Sequence, residues 1–110
     1  MSRFDPLTCY TTAKTGVIGL TRHLAHEYGR HGIRVNTLAP GPVDGERVSE
    51  LISAGDSEAQ ERKAQLANQI PLGRLAQSDD VVDVLAFLLS DASRYMNGAI
   101  LDVNGGYVLA

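Results

Sequence analysis

The chain has 110 residues, with ten Lys and Arg against thirteen Asp and Glu, a formal charge of -3, one Cys, no Trp and 44% hydrophobic residues. That suits one modest domain, and with no basic cluster it excludes an electrostatic footprint for nucleic acid or an anionic membrane. The longest apolar run, Val84 to Leu89, falls far short of the roughly 20 residues a membrane span requires, and Met1 to Pro6 hold no hydrophobic signal core, so a soluble, cytoplasmic protein is expected.

A helix is signalled first. Asp5 can accept an N-terminal backbone amide, Pro6 suits the first helical position, and Ala13, Val17, Leu20 and Leu24 recur at helical spacing, which predicts a helix to about Tyr28. Gly29 to Gly32 stop it. Ile33 to Ala39 then reads as a strand rich in β-branched and aliphatic residues, without clean alternation and therefore covered on both faces, ended by Pro40-Gly41-Pro42. Residues 44 to 70 read as a partly helical excursion with weakly amphipathic stretches around Val48 to Ile52 and Ala59 to Ile70. After a turn at Pro71-Leu72-Gly73-Arg74, Ser78 is expected to cap a helix with Asp79 and Asp80 beside its positive dipole end and Val81, Leu85 and Leu88 on a wide apolar face. Asn97-Gly98 turns the chain into a second strand, Ala99 to Val103, which Asn104-Gly105-Gly106 ends.

The order helix, strand, partly helical excursion, helix, strand is an α/β pattern, with a connection long enough for a parallel crossover. Two parallel strands do not make an independent covered sheet, so one edge of the first strand is expected to need a neighbour that these residues do not provide.

Tyr10 and Lys14 stand four apart on the first helix and so share a face. A phenol is normally too weak an acid, with a pKa near 10, to exchange protons at neutral pH, but an ammonium about 5 Å away favours its ionised form and poises the pair for proton transfer to a carbonyl or from an alcohol. Such pairs also occur on ordinary solvated helix faces, so spacing alone leaves both readings open. Cys9 has no basic partner at defined spacing, cannot close an internal disulfide, and reads as a buried or inert thiol. His23, His26 and His31 lack a further ligand at sensible spacing, so no metal is expected. Asp79 and Asp80 diverge in direction and read as dipole partners, and Tyr95 and Tyr107 as packing residues.

The run Tyr10-Thr11-Thr12-Ala13-Lys14, with Gly16-Val17 and Leu20-Thr21, then Gly32 to Asn36, Ala39-Pro40-Gly41-Pro42-Val43, Pro71 to Arg74, and Leu101 to Gly106, resembles the C-terminal half of short-chain dehydrogenases/reductases in order and spacing. The likeness covers nearly the whole chain from Tyr10. It implies the C-terminal portion of a Rossmann-like doubly wound parallel sheet, residues 1 to 110 forming part of an NAD(P)-binding domain and residues 44 to 70 a substrate-covering flap. It further implies an oxidoreductase that uses NAD or NADP to interconvert an alcohol and a ketone. Tyr10 would be the general acid/base, and Lys14 would favour its ionised form and hydrogen-bond the nicotinamide ribose. Pro40 and Gly41 would form the bend against the nicotinamide, with the Val43 backbone near its carboxamide.

The family also uses a serine roughly thirteen positions before the tyrosine as a donor to the reacting oxygen, and only nine residues precede Tyr10. The glycine-rich pyrophosphate turn is missing as well, and Gly105-Gly106 has no following helix to replace it. Gly45 stands where many members place a threonine. The sequence therefore reads as a truncated C-terminal part, inactive alone. The competing reading is a non-catalytic fragment that serves as an interaction module, forming a homo-oligomer or associating with an intact homologue through the first helix.

Overall fold

A computed structural model describes residues 6–45 and 56–107, with α1 (Pro6–Gly29), β1 (Thr37–Pro40), α2 (Asp56–Asn68), α3 (Ser78–Leu88), a 3-10 turn (Asp91–Ser93) and β2 (Ile100–Val103). The expectations for Asp5 and for Val48 to Ile52 lie outside those residues. Among the described residues the sheet has two strands. Thr37 donates to the Ala99 carbonyl at 2.8 Å and Gly41 to Val103 at 2.9 Å. Partner numbers that rise together mean parallel strands, as the α/β pattern requires. This register turns the odd-numbered residues of β1 toward β2, so Leu38 and Pro40 face the opposite edge, where the proline presents no N–H.

The chain divides into two compact units, Met1–Thr37 with Ser93–Leu101 and Leu38–Ala92 with Asp102–Ala110. In the first unit, the Thr12 and Thr15 hydroxyls of α1 donate back to the Thr8 and Thr11 carbonyls at 2.8 and 2.9 Å, which satisfies them within the helix. Its end is a Schellman motif: Gly32, at φ 76°, lets its N–H reach Gly29 at 3.0 Å and that of Ile33 reach Tyr28 at 3.4 Å. Among the described side chains of α1, Thr21 and Ala25 are buried. The Thr21 hydroxyl donates to the Val17 carbonyl at 2.7 Å, so the Thr37 hydroxyl must be the donor in the hydrogen bond those two threonines share.

The first strand is shorter than the sequence suggested. Ile33 to Asn36 lie outside β1, and beside one backbone bond from the Gly98 N–H to the Val35 carbonyl at 2.8 Å their pairing is made by side chains. Asn97 Oδ1 accepts the Val35 N–H at 3.0 Å while Asn97 Nδ2 donates to the Ala25 carbonyl at 3.0 Å. Asn36 answers with Oδ1 accepting from Ala99 at 2.9 Å and Nδ2 donating to Met96 at 3.0 Å. Arg34 Nη1 donates to the Ser93 and Met96 carbonyls at 2.8 and 3.1 Å. Ala99, spent on Asn36, falls outside β2 for the same reason.

In the second unit, Ile70, Leu75 and Leu88 are buried. The helix expected over Ala59 to Ile70 begins earlier and stops at Asn68, where Gln69 and Ile70 close short turns onto Leu66 and Ala67. Lys63 on α2 pairs with Asp44 at 3.1 Å. The cap of α3 is Gln77, not Ser78: Asp80 Oδ2 accepts the Gln77 N–H at 2.7 Å, so the reciprocal half of a capping box fixes the start one residue sooner. Of the expected apolar face Leu88 is buried, Val81 half-buried and Leu85 exposed, and the neighbouring Val82, Phe87 and Leu89 are exposed as well. Tyr95, expected to pack, is fully exposed. Gly105 and Gly106 turn at φ 61° and 88° directly on Ile70 and Pro71, and a Cβ on either would lie within 2.9 Å of those side chains. The terminal glycine pair is thus a close-packed turn, and Leu72 donates to the Gly105 carbonyl at 3.1 Å across it.

Two glycines should respond in opposite directions to alanine. A Cβ at Gly41 would sit 2.8 Å from the Asn104 Cα and Cβ, whereas one at Gly19 on α1 meets nothing within 4 Å. Gly41→Ala is expected to destabilise by about 1–3 kcal/mol through overpacking and Gly19→Ala to stabilise by about 0.5–1 kcal/mol through helix propensity. Urea denaturation midpoints check both signs.

Candidate functional site

Tyr10 and Lys14 lie in the N-terminal half of α1, one turn apart, and the Lys14 Nζ stands over the Tyr10 ring, 5.3 Å from its centroid. That is cation–π geometry, worth about 0.5–1 kcal/mol where water reaches the pair. Water does reach it: Tyr10 is 48% exposed. Cys9 beside it is an exposed free thiol rather than a buried one.

Pro40, Gly41 and Val43 follow one another at the end of β1. Gly41 passes so close to Asn104 that no side chain fits. Val43 forms an isolated parallel bridge with Ala76: Ala76 donates to Pro42 at 3.0 Å and accepts from Asp44 at 2.8 Å. In a parallel bridge built that way, Val43 turns its own N–H and C=O to the opposite side, and they have no hydrogen-bond partner among the described residues. The structure thus brings Tyr10 to Lys14 on one helix face, and holds Pro40, Gly41 and Val43 on one loop.

Sequence reasoning missed a second cluster. Pro42, Arg74, Ala76, Asp80, Val103 and Asn104 help line a cavity of about 160 Å³. That is roughly half the smallest volume usual for a small-molecule site, so it does not hold a substrate by itself. Its charge is internally matched: Arg74 Nη1 and Nη2 bind the two Asp80 oxygens at 2.6 and 3.1 Å. The hydrogen bond from Arg74, then that from the Gln77 backbone, lowers the Asp80 carboxyl from an ordinary 3.8 to about 2, and the same pairing raises Arg74. Reading Asp80 only as a dipole partner overlooked an arginine six residues earlier across a helix start. Among the described residues no group of three or more His, Cys, Asp or Glu could hold a metal ion, and no helix is long and apolar enough to cross a membrane.

A family model described as enoyl-(acyl carrier protein) reductase matches residues 3–108. The chain belongs to the short-chain dehydrogenase/reductase family. It is 44% identical over 103 residues to a 3-oxoacyl-[acyl-carrier-protein] reductase of Pseudomonas aeruginosa, a match that takes in 94% of this chain and 39% of that relative. A short-chain dehydrogenase family protein from Francisella tularensis superposes with a TM-score of 0.80 at 32% identity, over 89% of this chain and 42% of the other. A proposed 2-deoxy-D-gluconate 3-dehydrogenase from Agrobacterium tumefaciens with bound NADP does so with a TM-score of 0.74 at 40% identity, over 89% and 38%. The helices and parallel strands are therefore those of the family's Rossmann-type dehydrogenases. The chain spans about two fifths of the length of the curated relatives it matches.

The Arg74–Asp80 pair gives a pH signature. A carboxyl held at about 2 in the fold and near 3.8 when unfolded adds stability that is fully present above the unfolded value and is lost as pH falls through the folded one. Thermal melts of the wild type and Asp80→Asn should differ most at neutral pH, and the gap should shrink between roughly pH 4 and pH 2; a gap unchanged with pH would contradict the pairing.

Proposed function

We propose that this chain carries the proton-transfer residues and part of the cofactor site of an NAD(P)-dependent oxidoreductase that interconverts an alcohol and a ketone. The observation that carries the reading is Tyr10 with the Lys14 amine one turn away over its ring, in a chain matched by the family from residue 3 to residue 108. The named chemistry of the Pseudomonas relative and the NADP in the Agrobacterium structure support it. When bound, the nicotinamide supplies or accepts hydride. The Tyr10 hydroxyl gives its proton to the carbonyl oxygen during reduction and takes it from the alcohol during oxidation. Lys14 forms no ion pair among the described residues, so its three N–H donors are available to ribose hydroxyls while its charge stabilises the phenol oxygen as the proton leaves. Pro40, Gly41 and Val43 would help hold the nicotinamide, with the Val43 N–H as a donor to its carboxamide. Within the expected flap, α2 would lie over the substrate, joined to the loop after β1 by the Lys63–Asp44 pair.

Expressed with any in-frame coding sequence that precedes Met1, the protein is titrated with NADH and NADPH by cofactor fluorescence. One of the two should bind, and binding of neither would sink the reading. In that preparation Tyr10→Phe should lower turnover about 10²- to 10⁴-fold, the range a positioned acid/base contributes, with circular dichroism and melting unchanged; retained activity would remove Tyr10 from the role.

A second reading, association through α1, rests on Val17 and Leu20, 46% and 56% exposed on that helix. We infer that this face packs against a second copy or a full-length member of the family. Size-exclusion chromatography with light scattering should then show a species larger than the monomer, alone or after mixing; a persistent monomer in both cases contradicts it.

A further inference from the structure

The chain holds two Asn-Gly sequences in its described residues, Asn97-Gly98 and Asn104-Gly105, and their surroundings differ in chemistry. An asparagine followed by glycine is open to attack on its side-chain amide carbon by the next backbone nitrogen, because glycine presents no Cβ to block the approach. Exposure alone would select Asn97, which is exposed, over the half-buried Asn104. Hydrogen bonding selects the opposite residue. At Asn97 both side-chain atoms are engaged, Oδ1 by Val35 and Nδ2 by Ala25, and the would-be nucleophile, the Gly98 nitrogen, donates to the Val35 carbonyl at 2.8 Å. Ring closure there gives up two hydrogen bonds that Asn104 does not have to break, that of the Gly98 nitrogen and that of Nδ2. At Asn104 the Gly105 N–H and the side-chain Nδ2 have no partner among the described residues, while Oδ1 accepts from the Gly106 N–H at 2.9 Å. That bond strengthens as negative charge gathers on Oδ1 in the tetrahedral adduct, in the manner of an oxyanion donor. Asn104 also lines the cavity, through which water can arrive.

We propose that Asn104 is a site of spontaneous deamidation and that Asn97, despite its greater exposure, is protected by the fold. Hydroxide takes the Gly105 amide proton as that nitrogen bonds to the Asn104 side-chain carbon. The bond to Nδ2 then breaks and ammonia leaves. Water opens the resulting cyclic imide at either carbonyl, giving aspartate or β-linked isoaspartate, with no change of oxidation state. The product adds a negative charge to the cavity already lined by Asp80, and the β-linked form adds a backbone carbon where Gly41 leaves no room. Ageing at this position therefore acts on the same turn that holds the end of β1.

The test is incubation of the purified protein at neutral to mildly alkaline pH, followed by peptide mapping and enzymatic isoaspartate methylation. In the folded protein Asn104 should convert at least about tenfold faster than Asn97, the factor that one hydrogen bond of ordinary net strength is worth. In urea the two rates should converge, and Asn104→Gln should abolish the folded-state signal. Equal folded rates, faster reaction at Asn97, or no reaction at Asn104 in the fold when both react in urea would each overturn the proposal.

Discussion

Asn36 and Asn97 hold the start of the strand pair with side-chain amides where a longer sheet would use backbone. Each uses one donor and its acceptor, as a peptide group would, so each can stand in for a residue of ladder. Asn97 ties the end of α1 to the segment ahead of β1, and Asn36 ties that segment to the chain entering β2. The parallel register follows from this start, and the loop that begins at Gly41 follows from the register. Asn36 is half-buried and Asn97 exposed, so each of these hydrogen bonds contributes about 0.5–1.5 kcal/mol rather than the full cost of an orphaned buried amide.

The same device explains what the sequence hid. Hydrophobic and β-branched content extends the first strand back to Ile33, and nothing in composition separates an asparagine that points to solvent from one that replaces a ladder bond. Helix existence was legible because capping and spacing are local: Pro6 at the first helical position and Gly32 at the stop were both readable. The start of α3 was misplaced by one residue because Ser78 is the better cap in isolation, while Asp80 reaches back to Gln77 and is drawn further by Arg74. The Tyr10–Lys14 pairing was legible from helical periodicity. The Val43–Ala76 bridge was not, since a single residue pair leaves no periodic trace.

Charge is arranged with the same economy. The ion pairs of Lys63 with Asp44 and of Arg74 with Asp80 each join a loop to a neighbouring element rather than decorating a helix face. Surface pairs contribute little by Coulomb energy alone. The bidentate geometry of Arg74 on Asp80 adds direction, because the same carboxylate also accepts the N–H of Gln77, the cap of α3. One side chain thereby sets where the helix begins and where the guanidinium sits at the cavity.

The exposure of Tyr10 bears directly on the chemistry proposed for it. A charge over an aromatic ring is worth about 0.5–1 kcal/mol in water and about 2 kcal/mol or more once water is excluded. Proton transfer gains in the same way, since a dry site strengthens each electrostatic contact to the developing oxygen charge. With Tyr10 48% exposed, the pair has the right spacing but sits in the medium that weakens it most. Bound cofactor and substrate would remove that water, which makes cover over α1, and not a change in the pair itself, the step that turns this geometry into a catalyst.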